Sequence, residues 1–197
     1  MRSGDGFVWF VFHGCSPKGG SANHKNQTIM KLNQLAKAAA AAFVLLGSLA
    51  STASALTANE ASAILFMKQE EKLARDVYNA LHAKWGAVVF KNIAASEQQH
   101  MNAVDGLIVR YRLKDNTPAN PGEFTYPELQ ELYDALVADG EISLKDALEV
   151  GVTIEEVDIE DLRAALAATL EKPIKNVFGN LLNGSLNHLA AFRKWLR

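Results

Sequence analysis

The chain has 197 residues, 49% of them hydrophobic, with 22 acidic against 20 basic side chains and a single cysteine, Cys15. That suits one globular domain once any targeting segment is removed, and it excludes an intrachain disulfide. From Leu56 onward there are 15 Lys and Arg against 21 Asp and Glu, a balance that disfavours nucleic acid and anionic membrane surfaces as partners.

Residues 1–29 are rich in Gly and Ser and follow neither a helical nor a strand period. The next segment has Lys31 and Lys37 in a short basic head, an apolar run from Ala38 to Leu49, and small residues ending in Ala53-Ser54-Ala55. This is the layout of a secretory signal peptide cleaved after Ala55. The apolar run falls short of the roughly 20 residues that span a bilayer, so no stable membrane insertion is expected after cleavage. A signal peptide belongs next to its initiator methionine, so translation is expected to start at Met30, with residues 1–29 a non-native extension. The mature chain would be Leu56–Arg197, exported to a periplasm or out of the cell. Cys15 falls outside it, which leaves histidine and carboxylate as its metal ligands.

Four long helical patterns follow. In the first, about Ala58–Trp85, Ile64, Met67, Glu71, Ala74, Tyr78, Leu81 and Trp85 recur at steps of three and four, with Asn59 as N-cap and Gly86 as stop. The second runs from about Val88 to Leu113. After a loop with two prolines, Thr125-Tyr126-Pro127-Glu128 reads as a capping box opening a short helix that Gly140 closes. Ser143 and Asp146 start the third long pattern, about Leu144–Leu170, striped by Leu148, Val152, Glu155, Ile159, Leu162 and Leu166, with Gly151 a weak point. Pro173 opens the last pattern, through Val177, Leu181, Leu182, His188, Leu189, Phe192 and Trp195. No strand-like alternation of useful length occurs, so the expected class is all-α: four long helices with one short helix between the second and third.

Certain residues do not suit an apolar stripe. Glu71 lies among Met67, Ala74 and Tyr78, and burying a bare carboxylate costs several kcal/mol, so it must be paired, protonated or metal-bound. Arg75, one turn on, could supply a salt bridge, and Glu70 is the neighbouring alternative. Glu97 and His100, in "SEQQH", lie about 60° apart around a helix and ~4.5 Å along it, close enough to converge on one ion. Glu155 repeats the anomaly of Glu71 between Val152 and Ile159. Glu156 falls on the polar side and reads as solvated, whereas Asp158 is a further candidate ligand. His188 sits on the inner side of the last helix, where a hydrogen-bonded core histidine is the ordinary reading. Taken together, the set follows the order of di-metal carboxylate bundles, in which two helices each give a Glu and two each give Glu-x-x-His. Such oxygen and nitrogen donors suit iron, with manganese second.

"EKLARDVY", Glu71 to Tyr78, resembles the first-helix motif of rubrerythrin-type proteins, and "SEQQH" resembles their second-helix motif. More closely, the run from "EEKLARDVYNALHAKWG" through "FKNIAASEQQHMNAV", "GEFTYPELQELYDAL" and "ALEVGVTIEEVDIEDL" to "NLLNGSLNHLAAF" resembles the ferritin-like family labelled domain of unknown function 2202, over nearly the whole mature chain. The resemblance implies a ferritin-like four-helix bundle and a probable di-metal site, but no reaction. In that frame Glu71 and Glu155 bridge two ions, Glu97 terminates, and His100 and His188 cap. Ser185 stands where a full site has a glutamate three before the last histidine, leaving Asp158 or water to fill the gap. The expected function is an oxidase, peroxidase or ferroxidase acting on dioxygen or peroxide, with an external electron donor because rubredoxin-like cysteines are absent. The alternative is a non-enzymatic storage, sensing or interaction bundle with an incomplete or empty site.

Overall fold

The computed structural model describes residues 56–197, so the expected start at Met30 and the signal segment lie outside the described residues. Among the described residues there are five helices and no strand: α1 Ala58–Trp85, α2 Val88–Tyr111, α3 Pro127–Gly140, α4 Leu144–Ala168 and α5 Lys172–Trp195. None of them is long and apolar enough to cross a membrane.

Most helix ends fall where the sequence places them, and the differences are local. α1 is capped by Thr57 rather than Asn59: the Thr57 hydroxyl accepts from the Glu60 N–H at 3.2 Å, and the Glu60 carboxylate accepts from the Thr57 N–H at 3.0 Å. Gly86 ends α1 at φ 68°, a left-handed position that glycine takes without steric cost. The expected box at Thr125 does not form. Tyr126 is the N-cap of α3 without a side-chain bond, and Thr125 turns to α1 instead, donating its N–H to the Gln69 side chain at 2.9 Å. Gly140 is not a left-handed stop. It is the last residue of α3, and a Cβ there would sit 2.6 Å from Leu81, so the glycine serves close packing. Gly151 likewise admits the Phe192 ring, which would lie 2.6 Å from an added Cβ.

α1 packs chiefly on α2 and α4 chiefly on α5; contacts of α1 with α4 and of α2 with α5 join the two hairpins, while α3 lies against α1 and α4. The apolar side chains fall into two clusters. One gathers Leu73, Tyr78, Phe90, Leu136, Ile154 and Phe192; the other gathers Ile64, Met67, Val104, Leu162, Phe178 and Leu181. On every long helix the acids and histidines come between the residues of these two clusters. A polar layer is thus enclosed by oil on both sides, where an unpaired charge is most costly.

The loop before α3 is strapped to α1 by a buried ammonium. Lys72, 1% exposed, lies 2.6 Å from Asp76, donates to the carbonyls of Asn120 and Glu123 at 2.8 and 3.1 Å, and sits over the Phe124 ring. Asp76 in turn accepts from the Gly122 N–H at 2.9 Å. Removing one partner of a buried pair leaves the other uncompensated. Lys72→Ala is therefore expected to cost about 3 kcal/mol in denaturant unfolding, whereas exposed Lys145→Ala should cost well under about 1 kcal/mol.

Candidate metal centre

The layer holds two overlapping triads, Glu71–Glu97–His100 and Glu97–Glu155–His188, in each of which one ligand atom per residue lies within 4.8 Å of the others. α1 supplies Glu71, α2 Glu97 and His100, α4 Glu155, and α5 His188. Glu97 belongs to both. Its Oε2 is 2.7 Å from His100 Nδ1 and its Oε1 is 2.8 Å from His188 Nδ1. His100 Nδ1 also lies 3.0 Å from Glu71 Oε2, and His188 Nδ1 lies 3.5 Å from Glu155 Oε2. The two rings stack with centroids 5.4 Å apart. Thus Glu97, expected to terminate one metal, occupies the central position, while Glu71 and Glu155 stand at the two sides. Asp158 belongs to neither triad; one of its oxygens accepts from the Ser185 hydroxyl.

The salt bridge from Arg75 to Glu71 does not form. Arg75 turns to Asp76, at 2.7 Å, and to the Gln98 side chain. Glu71 is 2% exposed and its Oε1 has no hydrogen-bond partner; neither has Asp158 Oδ1. His188 Nδ1 is close to its carboxylates in distance but poorly aligned to donate to either. Glu71 and Asp158 line one cavity, and buried oxygens left open there are what metal ligands offer. Outer partners hold the ligands in place. The Ser96 hydroxyl contacts His188 Nε2 at 2.9 Å, which aims Nδ1 inward, and Tyr78, fully buried, donates to Glu155 Oε1 at 2.7 Å.

The proton affinities show how this layer balances its charge without a cation. Burial lowers the affinity of both imidazoles, but the carboxylates close to each Nδ1 outweigh it, raising His100 to about 11 and His188 to about 9. Burial also opposes ionisation of Glu97, yet the two imidazoles beside its oxygens bring it down to about 2. Burial, then the Glu97 charge, pushes Glu155 up to about 8; burial chiefly, against the Ser185 hydrogen bond, pushes Asp158 up to about 7. Glu71 is raised by burial and by the Asp158 charge. Burial and the Glu155 charge hold the Tyr78 phenol well above its ordinary value. The imidazoles, raised, supply positive charge, and the raised acids shed negative charge more readily than free carboxyls do.

A family model described as "Uncharacterized protein domain (DUF2202)" matches residues 60–197. The chain belongs to this family. It is 45% identical over 142 residues to the uncharacterized protein MJ0754 of Methanocaldococcus jannaschii, covering 72% of this chain and 77% of that protein. The crystal structure of hypothetical protein MJ0754 from Methanococcus jannaschii is similar to it, with a TM-score of 0.71 at 44% identity, covering 76% of this chain and 85% of that one.

In this DUF2202 chain three residues around the layer have no signal in hydrophobic periodicity. Ser96 reads from sequence as an ordinary polar helix residue. Asp161 sits 5% exposed on α4. Gly184 is a mid-helix glycine whose added Cβ would lie 2.4 Å from His100 Nε2, while Gly179 in the same helix faces open space, so low helix propensity alone does not single it out. Because Glu71 and Glu97 hold the other edge of the His100 ring, the ring cannot simply retreat. Gly184→Ala is therefore expected to leave the fold intact by circular dichroism and to weaken metal binding at the His100 side about 10- to 100-fold in equilibrium titration.

Proposed function

We propose that residues 56–197 form an exported, ferritin-like bundle that holds two iron or manganese ions and reacts with dioxygen or peroxide. The observation that carries this reading is Glu97, whose two oxygens each face a different histidine and thereby join two three-residue ligand sets. Charge supports it as well. Glu71, Glu97, Glu155 and Asp158, when ionised, balance two divalent ions with both imidazoles neutral. Bound there, the metals supply Lewis-acid and one-electron chemistry with open positions for a small ligand. The chain's own groups then have defined tasks. Glu97 spans, Glu71 and Glu155 close the two sides, Ser96 fixes the His188 tautomer, and the Tyr78 hydroxyl sets the orientation of Glu155. A cavity among α1, α2, α3 and α4 reaches these carboxylates past Leu73, Leu129, Leu132 and Ile154, an apolar wall that limits water. With no cysteine in 56–197, electrons come from a separate donor.

A non-enzymatic reading is favoured by one observation, the engagement of Asp158 by Ser185, which leaves one side of the set a ligand short of the full six. Elemental analysis of Leu56–Arg197, produced without chelator, separates the two readings. Near two equivalents of iron or manganese, with a faster peroxide or dioxygen consumption than the metal-stripped protein, supports the first. Metal without turnover supports the second, and a metal-free protein sinks the centre altogether. Export is tested separately, by whether N-terminal sequencing of the protein from cells begins at Leu56.

A further inference from the structure

The cavity beside α3 reaches the centre from its carboxylate side. Its lining includes Glu71, Glu97, Glu155 and Asp158, yet neither His100 nor His188. Apart from Glu70, the rest of the lining is Leu73, Ala74, Leu129, Leu132, Ile154 and Val157. Leu129 and Leu132 stand three residues apart on one face of α3, and the Lys72 strap on the preceding loop holds that helix to α1. Leu73, Ala74, Leu129, Leu132 and Ile154 are each 6% exposed or less, so the passage is narrow as well as oily. α3 gives no residue to either triad; what it contributes at the centre is this wall.

Resting on the two-metal reading above, we propose that this cavity is a route to the centre that admits dioxygen in preference to peroxide, with Leu129 and Leu132 of α3 setting the preference. Once Glu71, Glu97, Glu155 and Asp158 hold ions, the surface left to a third molecule is apolar except for half-buried Glu70. Desolvation then decides what crosses it. Dioxygen has no hydrogen bonds to water worth keeping and loses nothing against leucine. Hydrogen peroxide carries two O–H donors, and passing Leu129 and Leu132 leaves them unpaired, which is costly. A hydrated ion fares worse on the same wall, and a larger organic substrate does not fit between side chains this closely buried.

Xenon, heavy and apolar, occupies dry apolar cavities and serves as the probe. Wild-type crystals under xenon pressure are expected to show an anomalous peak among Leu73, Leu129, Leu132 and Ile154, a readout that depends on no variant folding. Leu132→Phe should fill the space and lose that peak, keep two equivalents of metal, and raise the KM for dioxygen. Leu132→Asn, close to leucine in size, offers a passing molecule one hydrogen bond and should raise the rate on peroxide relative to dioxygen about fivefold. A wild type that takes up no xenon overturns the route, whatever its metal content. So does a loaded wild type that consumes peroxide faster than dioxygen at equal concentration, or consumes neither. So does a loaded Leu132→Phe with an unchanged KM for dioxygen. Each of these leaves the metal centre standing, whereas a wild type that binds xenon and no metal overturns the centre and the route with it.

Discussion

Glu97→Gln should empty the whole centre, whereas changes at its edges should empty half of it. Glu97 is the one residue shared by the two triads, and it is 2% exposed, so nothing from solvent can replace its second oxygen. An amide offers one neutral oxygen in place of two charged ones, and its nitrogen would face an imidazole as donor against ligand atom. The expected result by elemental analysis is a fall from about two equivalents to below about 0.2, a loss beyond the 10- to 100-fold typical of outer-partner changes. Glu71→Gln and His188→Gln each touch one triad and should each retain about one equivalent. If Glu97→Gln binds as much metal as Glu71→Gln, the shared-carboxylate geometry is wrong.

The second large effect is in the pH dependence of stability. In the metal-free protein His188 is raised from 6.5 to about 9, His100 from 6.5 to about 11, Glu155 from 4.5 to about 8 and Asp158 from 3.8 to about 7. All four hold protons more tightly folded than unfolded. Each therefore contributes stability that is complete below its unfolded value and disappears as pH rises through its folded value. Glu97 works the other way, but only below 4.5. Between pH 6 and 9 the chelated protein should thus lose stability steadily. One or two extra native-state protons correspond to about 1.4 kcal/mol each per pH unit, or a fall in Tm of roughly 5–10 °C per pH unit for a chain of this size.

Metal inverts the trend. Its ligands must be deprotonated, so affinity climbs over the same interval as protons leave. At 100 times Kd, a bound ion adds about 2.7 kcal/mol, close to 10 °C in Tm. The melting curves of loaded and chelated protein should therefore diverge from pH 6 to 9, and loading in weak buffer at pH 7 should release at least the protons of the two imidazoles. Curves that run parallel across that range would mean that metal, if bound, sits elsewhere.

Much of this was legible in the chain. The apolar stripes of α1, α4 and α5 were visible because helix faces repeat locally, at steps of three and four, whatever packs against them. Glu71 and Glu155 stood out on those stripes because buried carboxylates are expensive, and Glu97 with His100 because their spacing converges on one side. Caps were less secure. Asn59 is the expected cap of α1, but Thr57, two residues earlier, closes the box with Glu60, and Thr125 looked like a cap until Gln69, 56 positions earlier, proved to be its partner. Local chemistry ranks such choices but cannot see a distant competitor.

The sequence alone determined that residues 56–197 are helical, where their helices run and that Glu71, Glu97, His100, Glu155 and His188 point inward, since each of these depends on residues within a turn or two of one another. The lateral order of those groups across the layer was decided only by packing. That Glu97 faces both histidines, that Arg75 reaches Gln98 and that Gly184 makes room for the His100 ring all follow from how helices far apart in sequence are rotated and staggered. A shift of one residue in that stagger moves a carboxyl oxygen by about 1.5 Å, half a hydrogen bond, and no periodicity along a single helix records it.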